Sequence, residues 1–483
     1  MYKQFICART KLSPPDGFRS KTYLDWTIWV SPGLPVSEIR DGDGRVLGLL
    51  LGWFIKDDEF ISSDSAIEIA AAPSRSRNPF NSLCGRFVVF CEYDGNPSLL
   101  TDAGALFPVV YDKSREIIAS SSCMIPEVTA ENRDPATIAD LDLLTERGWY
   151  PFGLTAHAGI RRLLPNRALN LASFDATRTW PLEDEDDFRK HHGESDETLL
   201  QRLCESLSGR VKTVTAAQPT IMHLTGGWDT RMMLSAARES IRDIDFRTYR
   251  TGGSGGKLDQ QLARLLSDRF KLKHEFVDLL PVSEAERRDW MWRTGYCLND
   301  HVIGLSTTEC GVAQAGEVTL AGAAGEVARA FYWNSDDIGK SPPTPEILLQ
   351  RLGFKNTEIL NDEARRWLEG LPKGSACWVY DLAYIELRLG CWAGVAMTGH
   401  DIPLPSISPF NSVDTFQTMM SFSDRYRADG GLCKDIAKRL WPELLSIPIN
   451  RAAGLRKLLF VRQELSATMP PGLKEMLKKY LRR

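Results

Sequence analysis

The chain has 483 residues and ten cysteines, yet no two cysteines form a CxxC pair. That scatter excludes a zinc knuckle and gives no disulfide framework, so reduced, mostly buried thiols of a cytoplasmic protein are expected. No apolar run approaches the length of a membrane span. Residues 1–7 are too few and too polar to read as a secretory signal. Charge of one sign is also lacking: a formal net charge of −4 makes no electrostatic case for nucleic acid or an anionic membrane. The basic stretch 474–483 reads as an amphipathic helix with a solvated face. Internal repeats and low-complexity tracts are missing too, and so is the Gly-Lys-Ser/Thr ending of a Walker loop. The glycine-rich run Thr251-Gly252-Gly253-Ser254-Gly255-Gly256-Lys257 is followed by Leu258, so it reads as a turn or a wall beside a ribose.

What remains points to two parts, because a chain this long exceeds one compact core. Residues 1–181 are rich in short apolar alternations broken by Gly, Pro, Asn and Asp. Residues 86–93 and 98–100 predict a hairpin around Asp94-Gly95-Asn96, and residues 111–113 and 117–120 predict another. The acidic stretch 182–187 reads as a linker. From 182 to 483 strands alternate with helices: helix 199–214, strand 221–224, helix 231–238, strand 246–249, helix 259–270, strands 275–277 and 318–320. After about residue 340 the signal is helical, including a dense aromatic stretch at 377–398 that reads as helix-packing core. The expected fold is thus an α+β sheet domain followed by an α/β parallel-sheet domain with a helical C-terminal part. In such a sheet the chemistry sits at the carboxyl ends of the strands.

One stretch lies at such an end. Leu224-Thr225-Gly226-Gly227-Trp228-Asp229-Thr230-Arg231 follows an apolar strand and opens a helix. Its hydroxyls, its close-approaching glycine amides and the positive helix end suit a phosphate chain. Asp229 suits the Mg²⁺ that travels with ATP, or else caps the helix. Arg231 reads as a phosphate contact or as a surface ion pair.

The loop resembles the Ser-Gly-Gly-x-Asp-Ser pyrophosphate loop of the ATP pyrophosphatases, with Thr225 and Thr230 in place of the serines. Further stretches, in order, resemble the asparagine synthetase family. They are Leu83-Cys84-Gly85-Arg86-Phe87, Tyr93-Asp94, Asp102 with Gly104, Pro108-Val109-Val110-Tyr111, and Ile160-Arg161-Arg162-Leu163-Leu164-Pro165-Asn166 with Trp180-Pro181. In the second part Asp259-Gln260-Gln261-Leu262-Ala263, His274 and Leu320-Ala321-Gly322-Ala323-Ala324-Gly325-Glu326 continue the match, with Glu326 where the family has Asp.

The resemblance implies a glutaminase-like (Ntn-type) domain over 1–181 and an ATP-pyrophosphatase (synthetase) domain over 182–483. It implies ATP on Leu224, Thr225, Gly226, Gly227, Asp229, Thr230, Arg231 and Gly322, and Mg²⁺ on Asp229 and Glu326. It also implies a charge-neutralising lysine at Lys434, with Lys438 and Lys457 as rivals and Arg451 as a weaker phosphate candidate. The family's carboxylate before a Pro-Phe pair has no clean counterpart ahead of Pro409-Phe410; Glu386 and Asp401 are the two candidates for the general base. His274 has no assigned role.

Tyr2 stands where glutamine-dependent members carry an N-terminal cysteine, and Cys7 is not an N-terminal residue. A phenol cannot replace a thiolate nucleophile, so no glutaminase activity is expected. In this the chain is similar to β-lactam synthetase and the lasso-peptide macrolactam synthetases. They imply AMP-forming adenylation of a carboxylate followed by attack of an amine of the same molecule. The partner implied is a carboxylate-bearing substrate such as a precursor peptide, with its leader-binding and protease proteins. Amidation of a small acid or sugar acid by free ammonia, and a non-catalytic nucleotide-binding scaffold, are the alternatives.

Overall fold

A computed structural model describes residues 3–129, 131–141, 148–191, 194–297, 300–400 and 405–450. The first part is two antiparallel sheets laid face to face. One has the strand order Ile160–Arg162, Val110–Asp112, Ile117–Ala119, Phe5–Ala8, Trp26–Val30, Arg19–Tyr23. The other runs Ala176–Arg178, Arg167–Asn170, Asn96–Thr101, Cys84–Tyr93, Val46–Lys56, Val36–Arg40, Ser65–Glu68, with Glu59–Ile61 paired to Val46–Lys56. All pairs are antiparallel except Val36–Arg40 with Ser65–Glu68. Both expected hairpins are present, as Cys84–Tyr93 with Asn96–Thr101 and Val110–Asp112 with Ile117–Ala119.

The period-2 pattern explains the stacking. Trp26, Ile28 and Val30 alternate inward from Trp26–Val30, and Phe5 meets Phe90 of the other sheet edge to face at 6.1 Å. Val46–Lys56 and Cys84–Tyr93 are buried on both faces and so read as near-continuous apolar runs. Gly52 lets these two strands approach: a Cβ there would lie 2.2 Å from the Arg86 carbonyl oxygen. Among the described residues of this part the only α-helix is Pro135–Leu141.

The second part carries a five-stranded, all-parallel sheet in the order His274–Val277, Ile244–Tyr249, Thr220–His223, Val318–Leu320, Ser406–Ile407. Helix Asp196–Ala217 leads in, its first turn capped by Ser195, whose Oγ accepts the Thr198 N–H at 3.2 Å. Thr220–His223 is central, and the chain passes first to one side of it and then to the other. The order therefore reverses between Thr220–His223 and Val318–Leu320, the place where open parallel sheets leave a crevice.

Three expectations need correction. The acidic stretch is not a free linker: Glu185 begins a helix, accepts the Ser375 N–H at 2.6 Å and pairs with Arg189, while Asp184 accepts the Lys373 N–H at 2.7 Å. Orphan backbone donors of another segment recruit these carboxylates, which fixes the stretch in place. The glycine run at 251–257 is not a loop beyond Gly252, since helix Gly253–Phe270 already includes it. Gly256 packs onto Thr251, whose Oγ1 would be 2.3 Å from a Cβ.

The third concerns Glu386, expected as a general base. It is fully buried where the two parts meet, accepting from Arg178 Nη1 at 2.6 Å and from Trp367 Nε1 at 2.9 Å, with Arg167 Nη2 at 3.4 Å. Its lone pairs are committed and no amine can reach it. Asn411 stitches the same junction, donating to Gly85 O and Asp102 Oδ1 and accepting the Gly104 N–H at 2.9 Å.

The aromatic stretch is helical as expected but not of one kind. Helix Ala376–Ala383 passes into a π-helical stretch, Tyr384–Ala393, before Gly394–His400 resumes α geometry. The wider turn shifts which side chains face the crevice. Among the described residues no helix is long and apolar enough to cross a membrane, and nine of the ten cysteines are buried.

Candidate nucleotide site

The loop 224–230 leaves the central parallel strand at the sheet's carboxyl edge. Leu224 is buried and anchored, its N–H donating to Arg247 O at 2.9 Å and its carbonyl accepting from Thr248 Oγ1 at 2.6 Å. The Gly226 N–H donates to Asp259 Oδ1 at 2.8 Å, which ties the loop to the helix behind it. Gly227 occupies the N-cap position in an extended conformation, so the first-turn amides of helix Trp228–Ala236 face outward from the loop. Thr225 and Thr230, five residues apart, bring their hydroxyls within 2.6 Å of each other. Two hydroxyls beside a helix N-terminus form a cradle for an oxyanion.

Opposite lies the turn after Val318–Leu320. Gly322 lets this turn close on the loop, for a Cβ there would already be 3.3 Å from Asp229 Cβ. Ala324 adopts φ +72°, which swings the chain into the short 3-10 turn Gly325–Ala328. This brings Glu326 beside Asp229, as its charge is felt there. Two groups that the sequence pattern did not single out complete the arrangement. Tyr384, from the π-helical stretch, donates its hydroxyl to Glu326 Oε2. Arg329 donates to both oxygens of Asp229, Nη2 at 2.9 Å and Nε at 3.3 Å.

Burial first, and the Asp229 charge second, push the Glu326 carboxyl up to about 7. Burial acts against the Arg329 guanidinium, but the Asp229 carboxylate outweighs it and holds the group above its ordinary value. A raised carboxyl stabilises the fold below the ordinary glutamate range and loses that contribution as pH rises through about 7. Glu326→Gln should therefore show a flatter stability profile, with wild type losing about 1–3 kcal/mol relative to it between about pH 5 and 8. Urea unfolding at the two pH values measures this. A constant gap would mean that the carboxyl is not raised.

The donor set does not fit the magnesium site expected on Asp229 and Glu326. A guanidinium already covers both oxygens of Asp229, and Glu326 accepts a hydrogen bond from the Tyr384 hydroxyl. The Thr225 and Thr230 hydroxyls at the helix N-terminus suit an oxyanion.

Arg231 is fully buried, not a surface ion pair. Burial lowers its guanidinium to about 10. Its Nη2 donates to Pro448 O at 3.2 Å, while Nε and Nη1 have no partner among the described residues. Asn450 donates its N–H to Gly226 O at 3.0 Å, so segment 448–450 lies over the loop. Lys434 is exposed on helix Gly431–Leu440, which packs its buried face on helix Trp228–Ala236. On that helix it is the buried Cys433 that feels the charges of Asp229 and Arg329. Lys438 is likewise exposed, and His274 donates or accepts with Thr248 Oγ1 at 2.9 Å as a strand residue. Tyr2, Asp401, Arg451 and Lys457 lie outside the described residues.

Beside the loop, in the crevice where the strand order reverses, is a cavity of about 240 Å³. His223, Tyr249, Glu309, Thr319, Ala321 and Trp392 line it. His223 Nε2 is 3.4 Å from Glu309 Oε1, which also accepts from Thr319 Oγ1 at 2.9 Å. Burial lowers the His223 imidazole, but the Glu309 charge outweighs it and leaves the group raised. The Tyr249 hydroxyl is buried there without a partner among the described residues. An apolar chamber with an imidazole–carboxylate pair and an unused phenol can orient a polar ligand. His223, next to the loop in an otherwise apolar strand, was a readable signal; Glu309 and Tyr249 carried none.

No protein-family model matches the chain, and no curated protein matches it.

Proposed function

We propose that the chain is an ATP-dependent, AMP-forming amide ligase of the asparagine synthetase type, with residues 1–181 a glutaminase-like scaffold lacking the cysteine nucleophile and 182–483 the synthetase. The observation that carries this reading is the loop Thr225-Gly226-Gly227-Trp228-Asp229-Thr230 at the centre of a parallel sheet, beside a cavity in its crevice. Thr225, Thr230 and the first amides of helix Trp228–Ala236 hold the β- and γ-phosphates and take up charge as pyrophosphate leaves. The cavity lined by His223, Tyr249 and Glu309 orients the carboxylate that attacks the α-phosphorus. The amine comes from the substrate itself, as in macrolactam closure of a lasso-type precursor peptide.

A second reading has two observations in its favour. Glu386 is sealed and Asp229 is paired, which suits a nucleotide-binding scaffold without turnover. Nucleotide turnover with a panel of acids separates the two. The panel holds precursor peptides with an internal Asp or Glu, free aspartate and sugar acids, each with and without ammonia. AMP and pyrophosphate with one acid, and no glutamate released from glutamine, are expected. ADP and phosphate would overturn the ligase reading, and ATP binding without turnover would favour the scaffold.

A further inference from the structure

We infer that Arg329 is the resident cation of the phosphate site, taking the place a divalent ion would otherwise fill between Asp229 and Glu326. This rests on the nucleotide reading above and concerns how the same site meets its phosphates. Two carboxylates at the mouth of an oxyanion cradle repel a polyphosphate unless a positive charge lies between them. Here the protein supplies it. Arg329 follows directly on the turn Gly325–Ala328 that carries Glu326, and it reaches across the crevice to Asp229 with two N–H donors.

The group is held rather than loose. Its guanidinium carbon lies 5.7 Å from the centre of the Phe331 ring, and its side chain is about a third exposed, 29 %. A planar guanidinium has donors left after binding one carboxylate, and it matches phosphate oxygens in a fork. A second buried cation sits on the helix that opens the same loop. Arg231, on the helix that Asp229 opens, is a fully buried cation without a carboxylate, and two of its nitrogens lack any partner among the described residues. An unpaired buried guanidinium is costly unless an anion completes it. Arg329, with two donors already on Asp229 and its side chain partly exposed, is the cation that displaces the metal.

Calorimetric binding of ATP and of inorganic pyrophosphate to the full chain, once in excess EDTA and once in magnesium, tests this. Wild type should bind in EDTA within about threefold of its affinity in magnesium, because the charge is built in. Arg329→Ala should lose about tenfold or more in EDTA and recover in magnesium, since Asp229 and Glu326 are then released to a divalent ion. Arg329→Lys, which keeps the charge without the fork, should fall between them and guards against a folding defect in the alanine variant. Wild-type binding that appears only with magnesium would overturn the inference and leave the nucleotide reading intact. No binding of either ligand under either condition would overturn the nucleotide reading and this inference with it.

Discussion

Glu386→Ala is expected to destabilise the protein by about 3–5 kcal/mol, the cost of leaving a buried ion pair with one partner removed. The carboxylate has no exposed surface, and it accepts from Arg178 through both Nη atoms at 2.6 and 3.2 Å, from Arg167 and from the Trp367 indole. Removing it strands two largely buried guanidiniums and an indole N–H at the seam between the sheets and the helical part. Burial would raise this carboxyl, yet Arg167 and Arg178 outweigh it and hold it below the ordinary glutamate value. The contribution is therefore present above the ordinary glutamate range and is lost only as pH falls through the depressed value. Glu386→Gln, which can still accept from Trp367, should lose less than alanine. Urea denaturation reads the effect as a lower midpoint at unchanged slope. A general base would behave otherwise, losing turnover and one limb of the pH–rate profile at wild-type stability. That outcome would restore Glu386 to the chemistry.

Gly226→Ala is expected to cut pyrophosphate release by about 100-fold while costing about 1–3 kcal/mol of stability. A Cβ at this position would lie 2.4 Å from Leu262 Cδ1 and 3.3 Å from Asp259 Oδ1. Leu262 is fully buried, so its side chain has little room to yield, and either helix Gly253–Phe270 or the loop must move. Motion of the loop breaks the 2.8 Å bond from the Gly226 N–H to Asp259 and turns the Thr225 and Thr230 hydroxyls away from their common focus. Gly227→Ala is the control. Its Cβ would meet Asn450 Oδ1 and Thr225 Oγ1 at 3.8 Å, an ordinary contact, so it should keep the wild-type fold. Turnover of the Gly226 variant within a few fold of wild type would show that the loop does not hold the phosphates.

The sequence by itself determined what is local. A near-continuous apolar run marked strand Cys84–Tyr93, and the Asp94-Gly95-Asn96 turn marked its hairpin with Asn96–Thr101, because a tight turn is a local signal. The strand, glycine turn and helix around Gly226 were readable for the same reason: their hydrogen bonds close within a few residues. So were the strands Ile244–Tyr249 and Val318–Leu320 and their alternation with helices. The two-residue strand Ser406–Ile407 was not, because it exists only by pairing with Val318–Leu320.

What tertiary structure alone decided is which charges meet. Arg329 reaches Asp229 across 100 positions of sequence, and Tyr384 reaches Glu326 across 58. No periodicity carries that information, and in the second case a π-helical turn sets the direction. Glu386 and Glu326 are the same residue type in glycine- or aromatic-rich surroundings. Arg167 and Arg178 make one a structural anion, while burial first and the Asp229 charge second raise the other to about 7. A carboxylate's role depends on its dielectric surroundings and its nearest charges, and folding sets both.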